Sequence, residues 1–130
     1  MSRPVVVTAL RIERLALHGT GLPVLALGMG GRRVRAHAGR AADASALLTV
    51  GVAGGLGADV QPGDLVVASE VRDGTRVVPV PSAPLLAAAL RRLTGLTVHL
   101  GPVASSDHVV NGRDRATLAA TGALAVDMES

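Results

Sequence analysis

The chain has 130 residues, of which 48% are hydrophobic and 18% charged, enough apolar side chain to bury one core and too much for a disordered polypeptide. The absence of cysteine excludes a disulfide framework, a thiolate metal site and a thiol nucleophile. The net charge of +3 rests on 13 basic residues, all arginine; they are scattered, and no aromatic side chain is present to stack a base, so nucleic acid is not an expected partner.

In chain order, "PVVVTAL" is a β-branched run that predicts a buried strand. It opens like a secretion signal, but Arg11, Glu13 and Arg14 interrupt the apolar stretch before an h-region forms. "RIERLALHG" sets Ile12, Leu15 and Ala16 at helical spacing ahead of a glycine, predicting a short helix. "LPVLALGMG" reads as a second strand running into glycines, and "RRVRAHAGRAADA" as a helix behind it. Its Arg32, Arg33 and Arg35 form the one local basic cluster. Two apolar runs, Leu47 to Val50 and Leu65 to Ala68, flank a glycine-rich loop and a "QPGD" turn. "TRVVPVP" predicts an edge strand, because Pro79 and Pro81 cannot donate to a central ladder. "SAPLLAAALRRLTG" predicts a helix capped by Ser82 and ended at Gly95. A strand and loop in "TVHLGPVASSDHVV", a helix in "GRDRATLAATG" and a last strand in "ALAVDM" complete the pattern. No run reaches the roughly 20 apolar residues of a membrane span, so a soluble, cytoplasmic protein is expected.

Strands alternating with helices place the chain in the α/β class, as one domain with a mixed, largely parallel central sheet flanked by helices. Ligands of such sheets gather beyond the carboxyl ends of the strands. Four segments fall there, "TALRIER", "GMGGRR", "GVAGGL" and "VDMES", and each carries glycines or charges. In "GVAGGLG", Gly51, Gly54, Gly55 and Gly57 let backbone amides approach a ligand, although a tight turn needs the same residues. The loop is neither a dinucleotide fingerprint nor a P-loop. "GMGGRR" offers amides with Arg32 and Arg33 to an anion, or is a helix start with solvated arginines. Asp127 and Glu129, two apart, share a face of a strand, where a buried carboxylate needs a polar partner such as a sugar diol. Glu13 could activate a water or be an ordinary first-turn helix glutamate. Asp107 and His108 lie in a loop where either could touch a ligand, and the four histidines have no metal-ligand spacing.

Together, "TALRIER", "GMGG", "GVAGGLGADVQPGDLVVASEV", "SSDHVVNG" and "ALAVDMES" resemble, in order and spacing, the nucleoside phosphorylase and nucleosidase superfamily from about Val5 to Ser130. Within it the chain looks most like the hopanoid-associated phosphorylases, on "TALRIERLAL" and "SSDHVVNG…TGALAVDMES". The resemblance implies cleavage of the N-ribosidic bond of an adenosine-derived nucleoside with an apolar 5′ substituent, releasing adenine. Methylthioadenosine/S-adenosylhomocysteine or futalosine nucleosidase activity is the alternative. It implies Glu129 on the ribose hydroxyls, Met128 beside the sugar, Asp127 at the neighbouring acidic position and Glu13 positioning a water. Val52, Ala53 and Gly54 would line the substrate, and Gly28, Gly30, Gly51 and Gly55 the nucleophile and sugar region. Val109 stands where nucleosidases place a base-stacking phenylalanine, and Thr49 where phosphorylases carry a phosphate-binding arginine. No cofactor or metal is implied; phosphate is a co-substrate if the reaction is phosphorolysis, and Thr49 with Glu13 tilts it toward hydrolysis. Family members assemble into homo-oligomers and continue past "VDMES" to an aspartate that protonates the base. The chain is therefore expected to be the N-terminal portion of such a domain, or else a non-catalytic truncated remnant.

Overall fold

The structure is a computed structural model that describes residues 3–28, 36, 38–108 and 110–127. Two compact units divide the chain, one reaching Val52 and the other spanning Ala53–Asp127.

In the first unit, β1 (Pro4–Thr8), β2 (Val24–Ala26) and β3 (Ala46–Thr49) form a three-stranded parallel sheet in the order β2-β1-β3. The β-branched run takes the central place: Val6, Val7, Thr8 and Ala9 are buried, because a parallel strand flanked on both sides must be apolar on both faces. Helix α1 (Arg11–Ala16) follows β1 directly. Its Ile12 and Leu15, at the helical spacing that predicted it, are 71% and 73% exposed. The short helix is fixed by polar contacts at its start and not by burial. The helix predicted from "RRVRAHAGRAADA" falls largely on residues outside those described; its described end is a 3₁₀ turn, Ala38–Ala41.

The second unit holds a five-stranded mixed sheet in the order β4-β8-β7-β5-β6. Its strands are β4 (Gly54–Gly55), β5 (Leu65–Asp73), β6 (Arg76–Pro79), β7 (Val98–Ser105) and β8 (Ala125–Asp127). β5, β7 and β8 run parallel, while β4 and β6 pair antiparallel at the two edges. β6 is an edge strand, as Pro79 at its end requires. It returns from β5 through a loop whose first residue, Gly74, has φ +58°, a backbone state that glycine adopts without a Cβ penalty. The pairing of β5 with β7 slips by one residue between Ala68 and Glu70, a bulge at Ser69.

Helix α2 (Ala83–Leu93) seats Ala83 and Ala87, both fully buried, on Val67 of β5 and Val98 of β7. Ser82 stands at its N-cap but in helical backbone geometry and with no capping bond from its hydroxyl, so the predicted cap is not made. The helix ends where the Thr94 hydroxyl donates to the Leu90 carbonyl at 2.8 Å. Helix α3 (Gly112–Ala120) leads to a second cluster of Ala104, Ala123 and Val126, with Leu56, Val110 and Leu118 against it. Side chains reaching main chain tie these pieces: Arg91 donates to the Val98 carbonyl at 3.0 Å, and Arg72, paired with Glu70 at 3.2 Å, donates to the Thr121 carbonyl at 2.9 Å. Asp64 accepts from the Gln61 amide at 2.9 Å and meets His99 Nε2 at 2.8 Å, which fixes the "QPGD" turn.

Two outcomes follow from this packing. Ala87→Leu should lower unfolding free energy by about 1–3 kcal/mol through overpacking, while Ala88→Leu on the exposed side of α2 should change it little, read by urea denaturation. The His99 contact holds the Asp64 carboxyl below its ordinary value, so its stabilisation is present at neutral pH and lost as pH falls through that lowered value. The melting temperature should therefore drop on acidification below about pH 4, and Asp64→Asn should shrink that drop.

Candidate active site

In the first unit the carboxyl ends of all three strands come together. The Leu27 amide donates to the Thr8 carbonyl at 2.8 Å, the Gly28 amide to Ala9 at 3.0 Å, and the Val50 amide to Val7 at 2.9 Å. Gly28 takes φ +89° as the chain leaves β2. Thr49 ends β3, and Gly51 and Val52 follow, with Val52 82% exposed. The carboxylate of Glu13 sits at this edge. Its Oε2 accepts from the amides of Ala9 at 3.1 Å and Leu10 at 2.9 Å, and its Oε1 accepts from the Val52 amide at 3.1 Å.

Helix geometry explains the placement. Glu13 is the third residue of α1, so its side chain can reach back to the amide of the N-cap residue, here Leu10, which has no side-chain acceptor of its own. The acidic group also lies in the first turn, where the helix dipole favours negative charge. A carboxylate offers about four acceptor positions, and three are filled by main-chain donors. Glu13 thus joins the end of β1, the start of α1 and the loop after β3, and among the described residues one acceptor position on Oε1 is left over.

In the second unit, Ala53 leads into β4, where Gly54 pairs with Val126 and Gly55 with Ala125. The glycine-rich loop is therefore in part a strand, which sequence periodicity cannot detect over two residues. Asp127, half-buried, ends β8 opposite Ser105, and its carbonyl accepts from the Ser106 amide at 2.8 Å. Arg115 of α3, a residue the sequence reading passes over, donates to the Gly55 carbonyl. A Cβ at Gly54 would lie 3.5 Å from that guanidinium, ordinary van der Waals contact. Leu56, Gly112, Arg115, Ala116 and Ala119 line an open hollow of about 420 Å³ beside it.

The loop after β7 carries Asp107 and His108, joined at 2.7 Å from Oδ1 to Nδ1. The Asp107 contact raises the His108 pKa above its ordinary value, and the same contact lowers that of Asp107. Among the described residues no group of three or more His, Cys, Asp or Glu could hold a metal, and no helix is long and apolar enough to cross a membrane. Of the residues singled out in sequence, Gly30, Arg32, Arg33, Val109, Met128 and Glu129 lie outside those described.

The sequence pattern of the Phosphorylase superfamily matches residues 4–130, and the chain belongs to that family, whose members are nucleosidases and nucleoside phosphorylases. No curated protein matches it significantly. Among solved structures it is similar to a Helicobacter pylori MTAN mutant with 5′-methylthioadenosine in the active site (TM-score 0.86, 19% identity, 100% of this chain and 76% of that one). A futalosine hydrolase mutant from Helicobacter pylori superposes with TM-score 0.83 at 18% identity, over 100% and 79% of the two chains. Uridine phosphorylase from Vibrio fischeri does so with TM-score 0.77 at 19% identity, over 96% and 69%. At these identities the likeness is one of fold, and it bears out the α/β class and its mixed sheet.

The Glu13 clamp predicts a measurable loss of stability when it is cut. Glu13→Gln keeps one acceptor oxygen but turns an amide toward main-chain donors, and should cost about 1–3 kcal/mol in urea unfolding. Glu13→Asp, one methylene short of Val52, should cost a comparable amount.

Proposed function

We propose that this protein cleaves the N-ribosidic bond of an adenosine-derived nucleoside with an apolar 5′ substituent, of the adenosylhopane type, releasing adenine in hopanoid biosynthesis. The observation that carries the reading is the superfamily match over residues 4–130, together with Glu13 held at the carboxyl edge of the β1 sheet with an acceptor position to spare. Breaking the bond from ribose to base develops positive charge on the sugar, so the site must hold the ribose, deliver a nucleophile and let the base leave with a proton. Glu13 orients the attacking water from its remaining Oε1 position. Glu129 accepts from the ribose hydroxyls, with Met128 packed beside the sugar, and Asp127 stands at the neighbouring acidic position. Ala53 and Gly54 present main chain to the substrate, Val52 and Gly51 follow the clamp, and Gly28 and Gly30 line the nucleophile side. Thr49, uncharged, gives a phosphate anion no cation there, which favours water over phosphate; Arg32 and Arg33 are the groups that would serve phosphate if it is used.

A second reading, hydrolysis of 5′-methylthioadenosine, S-adenosylhomocysteine or futalosine, is favoured by the fold neighbours, one of which was solved with 5′-methylthioadenosine in its active site. In either reading the enzyme is cytoplasmic, uses no cofactor and works as a homo-oligomer.

Adenine release separates the readings. With a panel of 5′-substituted adenosines, followed by chromatography with and without phosphate, release should be fastest for the long apolar 5′ group and independent of phosphate. Preference for the methylthio compound would replace the first reading with the second, and no release from any member would sink both.

A further inference from the structure

Asn111 is the only asparagine in the chain, and a glycine follows it. It stands at the N-cap of α3, where an asparagine side chain ordinarily accepts a hydrogen bond from the first turn. Its side chain makes no such bond here, and both residues of the pair are exposed. The backbone leaves the helical region on both sides of the joining peptide. Asn111 is extended, at φ −146° and ψ 172°, and Gly112 takes φ +52°. A side chain on the second residue would screen its nitrogen; glycine has none, and nothing lies within 4 Å of the place a Cβ would take. The Gly112 amide also opens the first turn of α3, where amides have no intrahelical acceptor, so no ladder bond retains its proton.

An electrophile and a nucleophile therefore stand unscreened on adjacent residues. The electrophile is the side-chain carbonyl carbon of Asn111, and the nucleophile is the Gly112 nitrogen once solvent base has taken its proton. Nothing else in the chain matches the pair. Gln61 carries the same amide group, but the next residue is Pro62, which has no N–H to lose. Asp73 also precedes a glycine, but it is paired with Arg76 in the β5–β6 ladder and carries an acid, so no ammonia can leave from it.

We propose that Asn111 is a site of spontaneous covalent modification, converted by attack of the Gly112 nitrogen into aspartate and isoaspartate, with water as the only co-reactant. The Gly112 nitrogen bonds to the side-chain carbonyl carbon, the bond from that carbon to the amide nitrogen breaks, and the amide leaves as ammonia with a proton from water. Water then opens the cyclic imide. Addition at the side-chain carbonyl restores the main chain and gives aspartate; addition at the main-chain carbonyl gives isoaspartate. The aspartate form places a negative charge at a helix start, where the dipole favours it, and lowers the net charge of +3 by one. The isoaspartate form adds a methylene to the main chain ahead of α3. It also turns the carbonyl that accepts from the Asp114 amide at 3.1 Å into a free carboxylate. Arg115 of α3 holds the Gly55 carbonyl, and Arg72 holds the Thr121 carbonyl just past the helix, so the lengthened chain loosens both ties. The chemistry needs no substrate and stands apart from the cleavage reading.

The test ages the purified protein at mildly alkaline pH and follows its intact mass, its charge by ion exchange and its peptide map. The folded protein should gain the mass difference between an amide and an acid, at residue 111 alone. The product should divide between aspartate and an isoaspartate that a protein isoaspartyl methyltransferase labels. The rate should rise with pH and approach that of the same chain in guanidinium chloride. Asn111→Gln, whose longer side chain closes the ring poorly, should keep its mass. Asn111→Asp should melt with the parent protein, and the isoaspartyl fraction should melt lower. A folded protein whose mass stays fixed while the denatured chain gains it overturns the proposal, because the fold then protects Asn111. A mass gain that persists in Asn111→Gln, or isoaspartate that appears without a mass gain, overturns it by placing the chemistry at another residue. An isoaspartyl fraction that melts with the parent overturns the loosening of α3.

Discussion

The constraint behind the whole structure is that no aromatic side chain is available to fill space. An aromatic ring normally supplies a large share of a core's buried area. Among the described residues, the buried apolar ones are valines and alanines with one leucine, Leu27. Small side chains can reach interior packing density only if the backbones they stand on come close together. Ala83 and Ala87 bring α2 down onto Val67 and Val98, and Gly101 leaves the room that Leu124 occupies, since a Cβ there would lie 2.6 Å from the leucine Cδ1. The substitutions that matter most in such a core are additions of volume.

A core of this kind holds layers together but gives loops little to pack against, and long polar side chains do that work. Glu13 gathers three amides at the carboxyl edge of the first sheet. Arg115 reaches across from α3 to the Gly55 carbonyl, Arg72 to that of Thr121, and Arg91 to that of Val98. Each replaces an aromatic anchor with a charge-assisted hydrogen bond to main chain, stronger than a neutral one and more demanding in geometry. The consequence is local: strand ends and helix ends that would otherwise fray are held in place.

How much of this was legible in the sequence depended on the range of the interaction. The strand–helix alternation, the burial of the "PVVVT" strand and the edge position of β6 follow from side-chain branching and from proline's missing donor, both written in single residues. Ser82 as a cap was a fair inference from residue type, but the backbone there is helical and its hydroxyl makes no capping bond. Ile12 and Leu15 had the spacing of a buried face and are exposed, because periodicity says which residues share a side and not what lies opposite. The two-residue strand at Gly54–Gly55 and the reach of Arg115, 60 residues away, had no local signature at all. Glu13 was visible as a candidate, yet its hold on Val52 spans 39 residues and appears only when β1 and β3 are set side by side.

The bulge at Ser69 works as a phase shifter on the longest strand. Upstream, Val67 faces the helices; the extra residue lets Glu70 and Arg72 continue on that face, and sends Val71 to the opposite side with Ala68. Arg72 can reach the end of α3 only because of this offset. Losing one residue there would not shorten the strand so much as turn its second half over, presenting valine to the helices and arginine to the other side. Length changes at this point in the chain are thus inversions of surface, and related sequences that differ here by one residue would carry different faces on the same backbone.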